Sequence, residues 1–403
     1  MTQTLPDQDA VPDAPDAANA ANAIKAAEAA ERAAKDAADA EAAEEAADAA
    51  ADAAAYLAAN GTVGDDLTAP ASVEVERPFA ALDPDRVLDA IESIGLHVDG
   101  RLYTLNSFEN RVYQVGIDDG ASAANFLVAK FYRPHRWSDD AILEEHAFTA
   151  ELAAAELPVV APCEIDGATL HRFGDYRFTL FPRRGGRPPE LEDRSTLEWL
   201  GRFIGRIHAV GAVRPFVSRG TIDLASYGQG PRDYLLQSGF IPETLLEAYR
   251  SIVDLALAAV ARAYDRAGDI KLIRLHGDCH AGNVLWTDAG PHFVDFDDSH
   301  MGPAMQDLWM LLPGDREGQR KALADVLAGY EDFCEFDPRE LYLLEALRTL
   351  RLIHYSAWLA RRWDDPAFPA AFPWFNTSRY WEDRILELRE QVALIDETPL
   401  WPV

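Results

Sequence analysis

The chain has 403 residues and carries 37 Lys and Arg against 68 Asp and Glu, a formal net charge of −31. A field this negative repels a nucleic-acid backbone and an anionic membrane surface, so we expect neither as a partner. Any phosphate that the protein binds therefore requires a local cation or a metal ion. The 48% hydrophobic content is typical of a globular protein with a sizeable core.

Cysteine usage and the first residues indicate the compartment. Cys163, Cys279 and Cys334 are odd in number and far apart, which favours a reducing environment without a disulfide framework. Residues 1–15 lack the basic and apolar regions of a secretion signal. No uncharged apolar run approaches the roughly 18 residues of a membrane span. We therefore expect a cytoplasmic protein.

Residues 1–78 are predicted to form an acidic, alanine-rich tail and linker. Residues 1–60 contain 13 acidic and 3 basic residues, and residues 14–59 offer only Ile24, Tyr56 and Leu57 as large apolar side chains. Alanine favours helix, but so little apolar surface cannot hold the segment against a folded domain. We expect a disordered or partly helical tail, and a helix that docks on a partner is the alternative.

Folded structure is expected from residue 79. Asp83, Pro84 and Asp85 predict the start of a helix, and Gly95 predicts its end. Four runs rich in β-branched and aromatic residues then predict strands at 111–117, 126–132, 159–165 and 176–181. Residues 139–157, between the second and third strands, have apolar side chains at helical spacing and predict a helix.

The second half of the chain is mainly helical. Apolar periodicity predicts helices at 196–210, 242–268, 314–333 and 339–362, and a β-rich segment at 272–296 separates the second helix from the third. This order of elements predicts an α+β fold with two lobes. Residues 79–182 form an antiparallel β-rich N-lobe with one main helix, and residues 183–403 form a mainly helical C-lobe.

The polar residues that carry chemistry are concentrated in residues 275–298. A protein-kinase catalytic loop has an Asp that accepts the substrate hydroxyl proton, an Asn five residues later that binds metal, and a second metal-binding Asp after the next hairpin. Asp278, Asn283 and Asp295 have this spacing. Their oxygen atoms suit Mg²⁺, which takes its other ligands from water and nucleotide phosphates. The segment therefore predicts phosphoryl transfer from ATP.

Two other interpretations of the same residues stay open. His276, Asp278 and His280 resemble a fragment of a zinc or two-metal hydrolase site, although no second His/Asp cluster of suitable spacing accompanies them. A purely structural role is the other possibility, with His276 in the core and Asp278 capping a turn.

A phosphotransferase also requires a cation on the nucleotide. Lys130 ends a strand-like run in the order Val-Ala-Lys, which parallels the kinase lysine that contacts the α- and β-phosphates. Glu144 or Glu145 on the following helix can pair with it, as a helix glutamate does in kinases. The glycine-rich phosphate loop of kinases is absent, and small polar residues such as Ser107 stand in the corresponding turn.

Four segments together resemble the bacterial stress response kinase A family, which belongs to the aminoglycoside phosphotransferase and choline kinase group. They are NSFENRVYQ at 106–114, KFYRP at 130–134, LHGDCHAGN at 275–283 and GPAMQDLWMLL at 302–312. The similarity extends from about residue 79 to the end of the chain, including WDDPAFP at 363–369. It implies a protein-kinase-like fold and an ATP-dependent serine/threonine protein kinase that acts in the stress response.

The resemblance assigns roles to individual residues. Asp278 is the catalytic base, Asn283 and Asp295 are the magnesium ligands, and Lys130 is the nucleotide lysine. The other assigned residues are Ser107, which contacts ATP from the covering loop, Phe181 with Pro182, which form the hinge beside adenine, and Asp307, which supports the catalytic loop. For the partner of Lys130 we choose Glu145, because the spacing of its apolar neighbours places it on the inward helix face. Glu144 remains open.

The short segment after Asp295 predicts how the protein is regulated. Few residues separate Asp295 from Gly302, so a long activation segment has no room, and we expect activity without phosphorylation of this segment.

The nature of the acceptor stays open at this point. Motif chemistry does not distinguish a protein acceptor from a small hydroxylated molecule such as an aminoglycoside or choline. A non-catalytic kinase-like scaffold is a third hypothesis, which the presence of the predicted catalytic and metal-binding residues disfavours.

Overall fold

The computed structural model describes residues 78–118, 125–288 and 290–401. The predicted tail and all but the last residue of its linker lie outside the described residues. Among the helices of the described part, none combines the length and the apolar character of a membrane span.

The N-lobe is built on a five-stranded antiparallel sheet. Helix α1 (Pro84–Glu92) precedes it and begins where the Asp83 side chain accepts a hydrogen bond from the Arg86 amide at 2.8 Å. The sheet order is β1-β2-β3-β5-β4. The remaining N-lobe elements are β1 (Val98–Leu105), β2 (Arg111–Ile117), β3 (Phe126–Phe131), α2 (Asp139–Ala154), β4 (His171–Phe173) and β5 (Tyr176–Pro182).

Strand alternation separates the core of the N-lobe from the functional face of its sheet. Ala129 and Phe131 of β3 lie in the apolar core with Val87 and Ile91 of α1. Successive side chains of a strand point to opposite faces, so Lys130 faces away from this core. The sheet thus presents the lysine toward the C-lobe.

The C-lobe is mainly helical, with two short pairs of strands. Its helices are α3 (Arg194–Gly211), α4 (Gly230–Ser238), α5 (Glu243–Ala267), α6 (Met305–Trp309), α7 (Arg316–Tyr330), α8 (Leu344–Arg361), α9 (Ala367–Ala371) and α10 (Ser378–Asp396). Strand β6 (Ile273–Arg274) pairs with β9 (Met301–Gly302), and β7 (Val284–Thr287) pairs with β8 (Gly290–Phe293), both antiparallel. A π-helical turn (Leu224–Gln229) leads into α4, and 3-10 turns lie at Ala281–Asn283, Phe296–Asp298 and Pro338–Leu343.

The predicted bilobal α+β fold is confirmed, and one predicted strand is wrong. Residues 159–165 form only isolated bridges, from Val159 to Phe293 and from Ile165 to Ala168. Pro158 and Pro162 lack the amide hydrogen that a strand ladder requires, which explains the absence of a continuous strand. The predicted helix at 339–362 is a 3-10 turn followed by α8.

Helices α3 and α7 approach each other to backbone contact. A Cβ atom on Gly329 would lie 1.9 Å from the Glu198 carbonyl oxygen, and one on Gly201 would lie 2.0 Å from the Val326 carbonyl oxygen. Any side chain at either position therefore forces the two helices apart.

We expect Gly329→Ala to lower the free energy of unfolding by about 1–3 kcal/mol, because the added methyl group overpacks this contact. Gly318→Ala, in the same helix, is the matched control, since its Cβ would lie no closer than 3.4 Å to Asp315 Oδ1. Alanine favours helix over glycine, so the control is neutral or slightly stabilising. Urea unfolding of both variants measures the difference, and equal stability would contradict the close contact.

Candidate active site

Residues from both lobes meet in the candidate site. Lys130 belongs to β3 of the N-lobe, whereas Asp278 and Asn283 lie in the loop that follows β6, and Asp295 follows β8. The Lys130 ammonium donates a hydrogen bond to Asp295 Oδ1 at 2.8 Å and lies 3.3 Å from Asp297 Oδ1. The structure therefore brings the predicted nucleotide lysine directly onto a predicted metal ligand.

The conformation of the loop that carries Asp278 depends on a glycine and on a buried carboxylate. Gly277 has φ +87°, and a Cβ there would lie 1.9 Å from the Asp298 carbonyl oxygen. Asp307 of α6 accepts hydrogen bonds from the backbone amides of His276 and Gly277, each at 2.8 Å. Its Oδ2 also lies 3.0 Å from His208 Nε2. Asp307 thus supports the loop, as the sequence predicted.

His276 joins the loop to the segment before Asp295. Its Nε2 lies 2.9 Å from the Val294 carbonyl oxygen, and its Nδ1 lies 3.4 Å from the Asp278 amide nitrogen. These partners make Nε2 the donor and Nδ1 the acceptor, so both ring nitrogens are engaged. Within the described residues no group of three or more His, Cys, Asp or Glu side chains could hold a metal ion. The zinc hydrolase interpretation has no support in this geometry.

Asp278 is only 1% exposed and is held as a carboxylate by its partners. Arg351 Nη2 donates to Oδ1 at 2.5 Å, and Asn283 Nδ2 donates to Oδ2 at 3.2 Å. His280 Nδ1 accepts from the Gly282 amide, which leaves Nε2 as the donor 3.4 Å from Oδ2. Burial raises the pKa of Asp278, but Arg351 and His280 outweigh it and hold the pKa below its usual value.

The predicted magnesium ligands offer suitable oxygen atoms. The Asn283 amide nitrogen donates to the Asp278 carbonyl oxygen at 2.9 Å, which leaves the amide oxygen for a cation. Asp295 has φ +57°, and its side chain is 52% exposed although the surrounding residues are buried. A carboxylate and an amide oxygen are ligands that fit Mg²⁺. These residues therefore fit the ion.

Lys130 carries its charge inside the protein. Burial lowers the pKa of Lys130, but Asp295, Asp297 and Glu145 together raise it above the ordinary value. Glu145 is buried and contacts Arg219 Nη2 at 3.4 Å, and burial raises its pKa to about 7. It acts on Lys130 electrostatically, whereas the hydrogen bond of the ammonium goes to Asp295.

The neighbouring Glu144 faces elsewhere. Its carboxylate accepts hydrogen bonds from the backbone amides of residues 217–219, at 2.7, 2.8 and 3.1 Å. Of the two candidate partners of Lys130, Glu145 is therefore the one that faces the cleft.

A cluster of ion pairs missed by sequence reasoning joins the lobes beside Lys130. Asp297 is 2% exposed, accepts a hydrogen bond from Asn110 Nδ2 at 3.0 Å and pairs with Arg136, which also pairs with Asp298. Burial raises the pKa of Asp297, but Arg136 and Lys130 outweigh it and hold the pKa low. Burial raises the pKa of Asp298 to about 7, because Arg136 compensates it only in part.

The loop that carries Ser107 contacts the end of α8 in the C-lobe. Ser107 Oγ donates to the Asn110 carbonyl oxygen at 3.2 Å, within the loop. The Glu109 carboxylate accepts from Trp358 Nε1 at 2.6 Å and pairs with Arg362 at 2.5 Å and Arg133 at 2.8 Å. The covering loop is therefore buried against α8 and the residues that follow it.

Phe181 lies near the end of β5, where the chain leaves the N-lobe. It is paired opposite Val128 of β3, which shares a strand face with Lys130. A few residues later the chain passes close over β7, where a Cβ on Gly186 would lie 2.7 Å from Leu285 Cβ. Phe181 is thus placed on the strand that connects the two lobes, next to the lysine strand.

Comparison with known proteins identifies the family. The phosphotransferase enzyme family matches residues 104–344. Stress response kinase A of Escherichia coli and the serine/threonine protein kinase RdoA of Salmonella typhimurium are each 45% identical over 322 residues, which is 80% of this chain and 96% of each relative. The chain therefore belongs to the phosphotransferase enzyme family and, within it, to the stress response kinase A group.

Solved structures agree on the fold. Amicoumacin kinase hAmiN has a TM-score of 0.61 at 19% identity, and the match covers 79% of this chain and 95% of that one. A microcompartment-associated aminopropanol kinase has a TM-score of 0.58 at 17% identity and covers 78% and 97%. At these identities the likeness concerns the kinase-like fold alone.

The buried acid Glu340 contacts the start of α6, the helix that carries Asp307. Its raised pKa predicts that the stability of the protein depends on pH. Glu340 Oε2 accepts from the Met305 amide at 2.8 Å, and burial raises the pKa of Glu340 from 4.5 to about 7. Below pH 4.5 the acid is neutral in both states, and between pH 4.5 and 7 its ionisation favours the unfolded chain.

We therefore expect wild-type protein to lose stability relative to Glu340→Gln as the pH rises from 5 to 8, by up to about 3 kcal/mol. Denaturant unfolding of both proteins at the two pH values measures this, and the variant itself controls for every other titrating group. A stability difference that is the same at both pH values would contradict the raised pKa.

Proposed function

We propose that this phosphotransferase is a Mg²⁺- and ATP-dependent serine/threonine protein kinase of the stress response. The observation that carries the proposal is the meeting of Lys130 with Asp295 at 2.8 Å, beside Asp278 and Asn283 in kinase order. The names of the relatives that share 45% identity support a protein acceptor and a stress role.

The nucleotide is proposed to lie between the lobes. The buried Lys130 ammonium supplies the positive charge that the α- and β-phosphates require, and Glu145 helps to keep it charged. Ser107 contacts ATP from the covering loop, and Phe181 lies at the adenine end. Asn283 and Asp295 hold Mg²⁺, which neutralises charge on the transferring phosphoryl group when it is bound.

Asp278 is proposed to act as the base. The acceptor hydroxyl oxygen attacks the γ-phosphorus, the bond from that phosphorus to the β,γ-bridging oxygen breaks, and ADP leaves with the electron pair. The hydroxyl proton passes to Asp278. Arg351 and His280 hold the pKa of Asp278 low, so Asp278 orients the acceptor hydroxyl in the ground state. It takes the proton in the transition state, where the attacking hydroxyl becomes more acidic.

The segment after Asp295 supports activity without phosphorylation. Arg136 pairs with Asp297 and Asp298, and Arg219 donates to the carbonyl oxygens of Asp297 and Ser299 at 2.8 and 2.9 Å. In kinases with long activation loops, arginines of this kind bind the loop phosphate. Here the carboxylates and carbonyl groups of the segment already supply the acceptors.

We expect Asp278→Asn to lower kcat by about 10²–10⁴-fold, because the amide cannot accept the hydroxyl proton. Asp295→Ala is expected to lower kcat and to weaken the dependence of the rate on Mg²⁺ concentration. Asp254→Asn, an exposed acid that pairs with Arg232 on the C-lobe surface, is the control and keeps wild-type activity.

The assay measures phosphate transfer from ATP to a panel of proteins, an aminoglycoside and choline. Loss of transfer to proteins in Asp278→Asn supports the proposal. Unchanged transfer by both Asp278→Asn and Asp295→Ala would remove these residues from catalysis, and transfer confined to the small acceptors would refute the protein acceptor.

A further inference from the structure

The catalytic carboxylate is enclosed before any acceptor binds. Asp278 Oδ1 accepts from Arg351, and Oδ2 accepts from Asn283 and lies beside His280. With 1% of the residue exposed, an acceptor hydroxyl reaches the carboxylate only if one of these partners moves.

Among the residues that the structure describes, Asp278 is the one anion with which Arg351 forms an ion pair. Within the same residues, the Arg351 Nε has no hydrogen-bond acceptor. Neighbouring cations differ from it, because Arg136 pairs with Asp297 and Asp298 and Arg362 pairs with Glu109. When Asp278 turns to a hydroxyl, Arg351 is left as a buried charge, which is unfavourable.

The next turn of α8 holds unused hydrogen-bonding groups beside Arg351. His354 is 3% exposed and Tyr355 is 2% exposed. In the part of the chain that the structure describes, neither ring nitrogen of His354 nor the hydroxyl of Tyr355 has a hydrogen-bond partner. His354 and Tyr355 follow Arg351 by three and four residues in the same helix, so the three side chains lie on one helix face. Buried polar groups are rarely left unpaired, so a cluster of them beside a cation indicates a place for a ligand.

We propose that Arg351 is a specificity-determining residue that selects an acidic acceptor, a Ser or Thr with a carboxylate side chain next to it in the protein substrate. The substrate carboxylate forms an ion pair with Arg351, which leaves Asp278. The acceptor hydroxyl then hydrogen-bonds to Asp278 where Arg351 was bound. His354 and Tyr355 complete the hydrogen bonds of the incoming carboxylate. The substrate carboxylate is not consumed in the transfer. This inference rests on the proposed kinase function.

Charge balance explains why such a residue is required. An acidic segment is repelled by a protein of net charge −31, so its binding depends on local cations. A neutral acceptor leaves Arg351 unpaired, and a cationic acceptor adds repulsion to that cost. The site therefore favours acidic over neutral acceptors and neutral over basic ones.

The test uses the full chain with Mg²⁺, ATP and three serine peptides that differ only in the residues flanking the serine, which are Asp, Asn or Lys. Wild-type kcat/KM is expected to fall in that order. Arg351→Gln is expected to lower the ratio of kcat/KM for the Asp peptide to that for the Asn peptide at least about 10-fold, mainly through KM of the Asp peptide. Arg351→Lys retains part of the preference.

Arg348→Gln is the matched control, one turn earlier on α8. Arg348 pairs with Glu345 at 3.2 Å rather than with Asp278, so its removal leaves the Asp-to-Asn ratio at the wild-type value. If Arg351→Gln fails to fold, the wild-type preference and the Arg351→Lys variant decide the question.

Two results would overturn the proposal. One is a wild-type enzyme with no preference for the Asp peptide over the Asn peptide. The other is an Arg351→Gln enzyme that is slower on all three peptides by the same factor, which is the signature of a structural role. Failure of the kinase proposal gives a different result. In that case Asp278→Asn transfers phosphate to every peptide as fast as the wild type does.

Discussion

Asp297 lies between the lobes at 2% exposure, and the groups that satisfy it belong to the other lobe. It accepts from Asn110 Nδ2 at 3.0 Å, lies 3.3 Å from the Lys130 ammonium and pairs with Arg136. A carboxylate buried without such partners would cost several kcal/mol, on the order of 3–5 for a broken buried pair. Together with the contacts of Glu109 and Glu144, this constraint holds the N-lobe on the C-lobe beside the pair of Lys130 and Asp295.

The loop that carries Asp278 depends on the same segment through its backbone. Residues 296–298 form a 3-10 turn, and the carbonyl oxygen of Asp298 lies so close to Gly277 that no side chain fits there. The turn also fixes Asp295 in a left-handed conformation with its carboxylate exposed. Ion pairing of Asp297 and Asp298 thus positions both Asp295, before the turn, and the loop that carries Asp278.

Local patterns in the sequence predicted much of the fold and part of the site. The strands at 111–117 and 176–181 and the helices at 196–210, 242–268 and 314–333 follow from periodicity within each segment, whereas helix α10 was not predicted. Strand β1 was missed because its side chains are mostly exposed or half-buried and show no clear alternation. Residues 159–165 look strand-like by composition, but Pro158 and Pro162 lack amide hydrogens, and the segment forms isolated bridges instead of a continuous strand. Composition alone therefore predicted a strand where the backbone cannot supply a full hydrogen-bond ladder.

The partners of Asp278 and Asp297 could not be predicted, because they are distant in sequence. Arg351 is 73 residues from Asp278, and Arg136 is 161 residues from Asp297. One signal was present in the sequence: Arg351 stands between Leu350 and Leu352 in a helix that is buried over most of its length. An arginine in such a helix requires a buried anion, although the sequence does not say which one.

The most direct measurement is a crystal structure of the full chain with Mg²⁺ and a non-hydrolysable ATP analogue. We expect the ion on the oxygen atoms of Asn283 and Asp295, the Lys130 ammonium on phosphate oxygens, and Asp297 still paired with Arg136. A nucleotide bound outside the cleft, with Lys130 still hydrogen-bonded to Asp295, would contradict the proposed site.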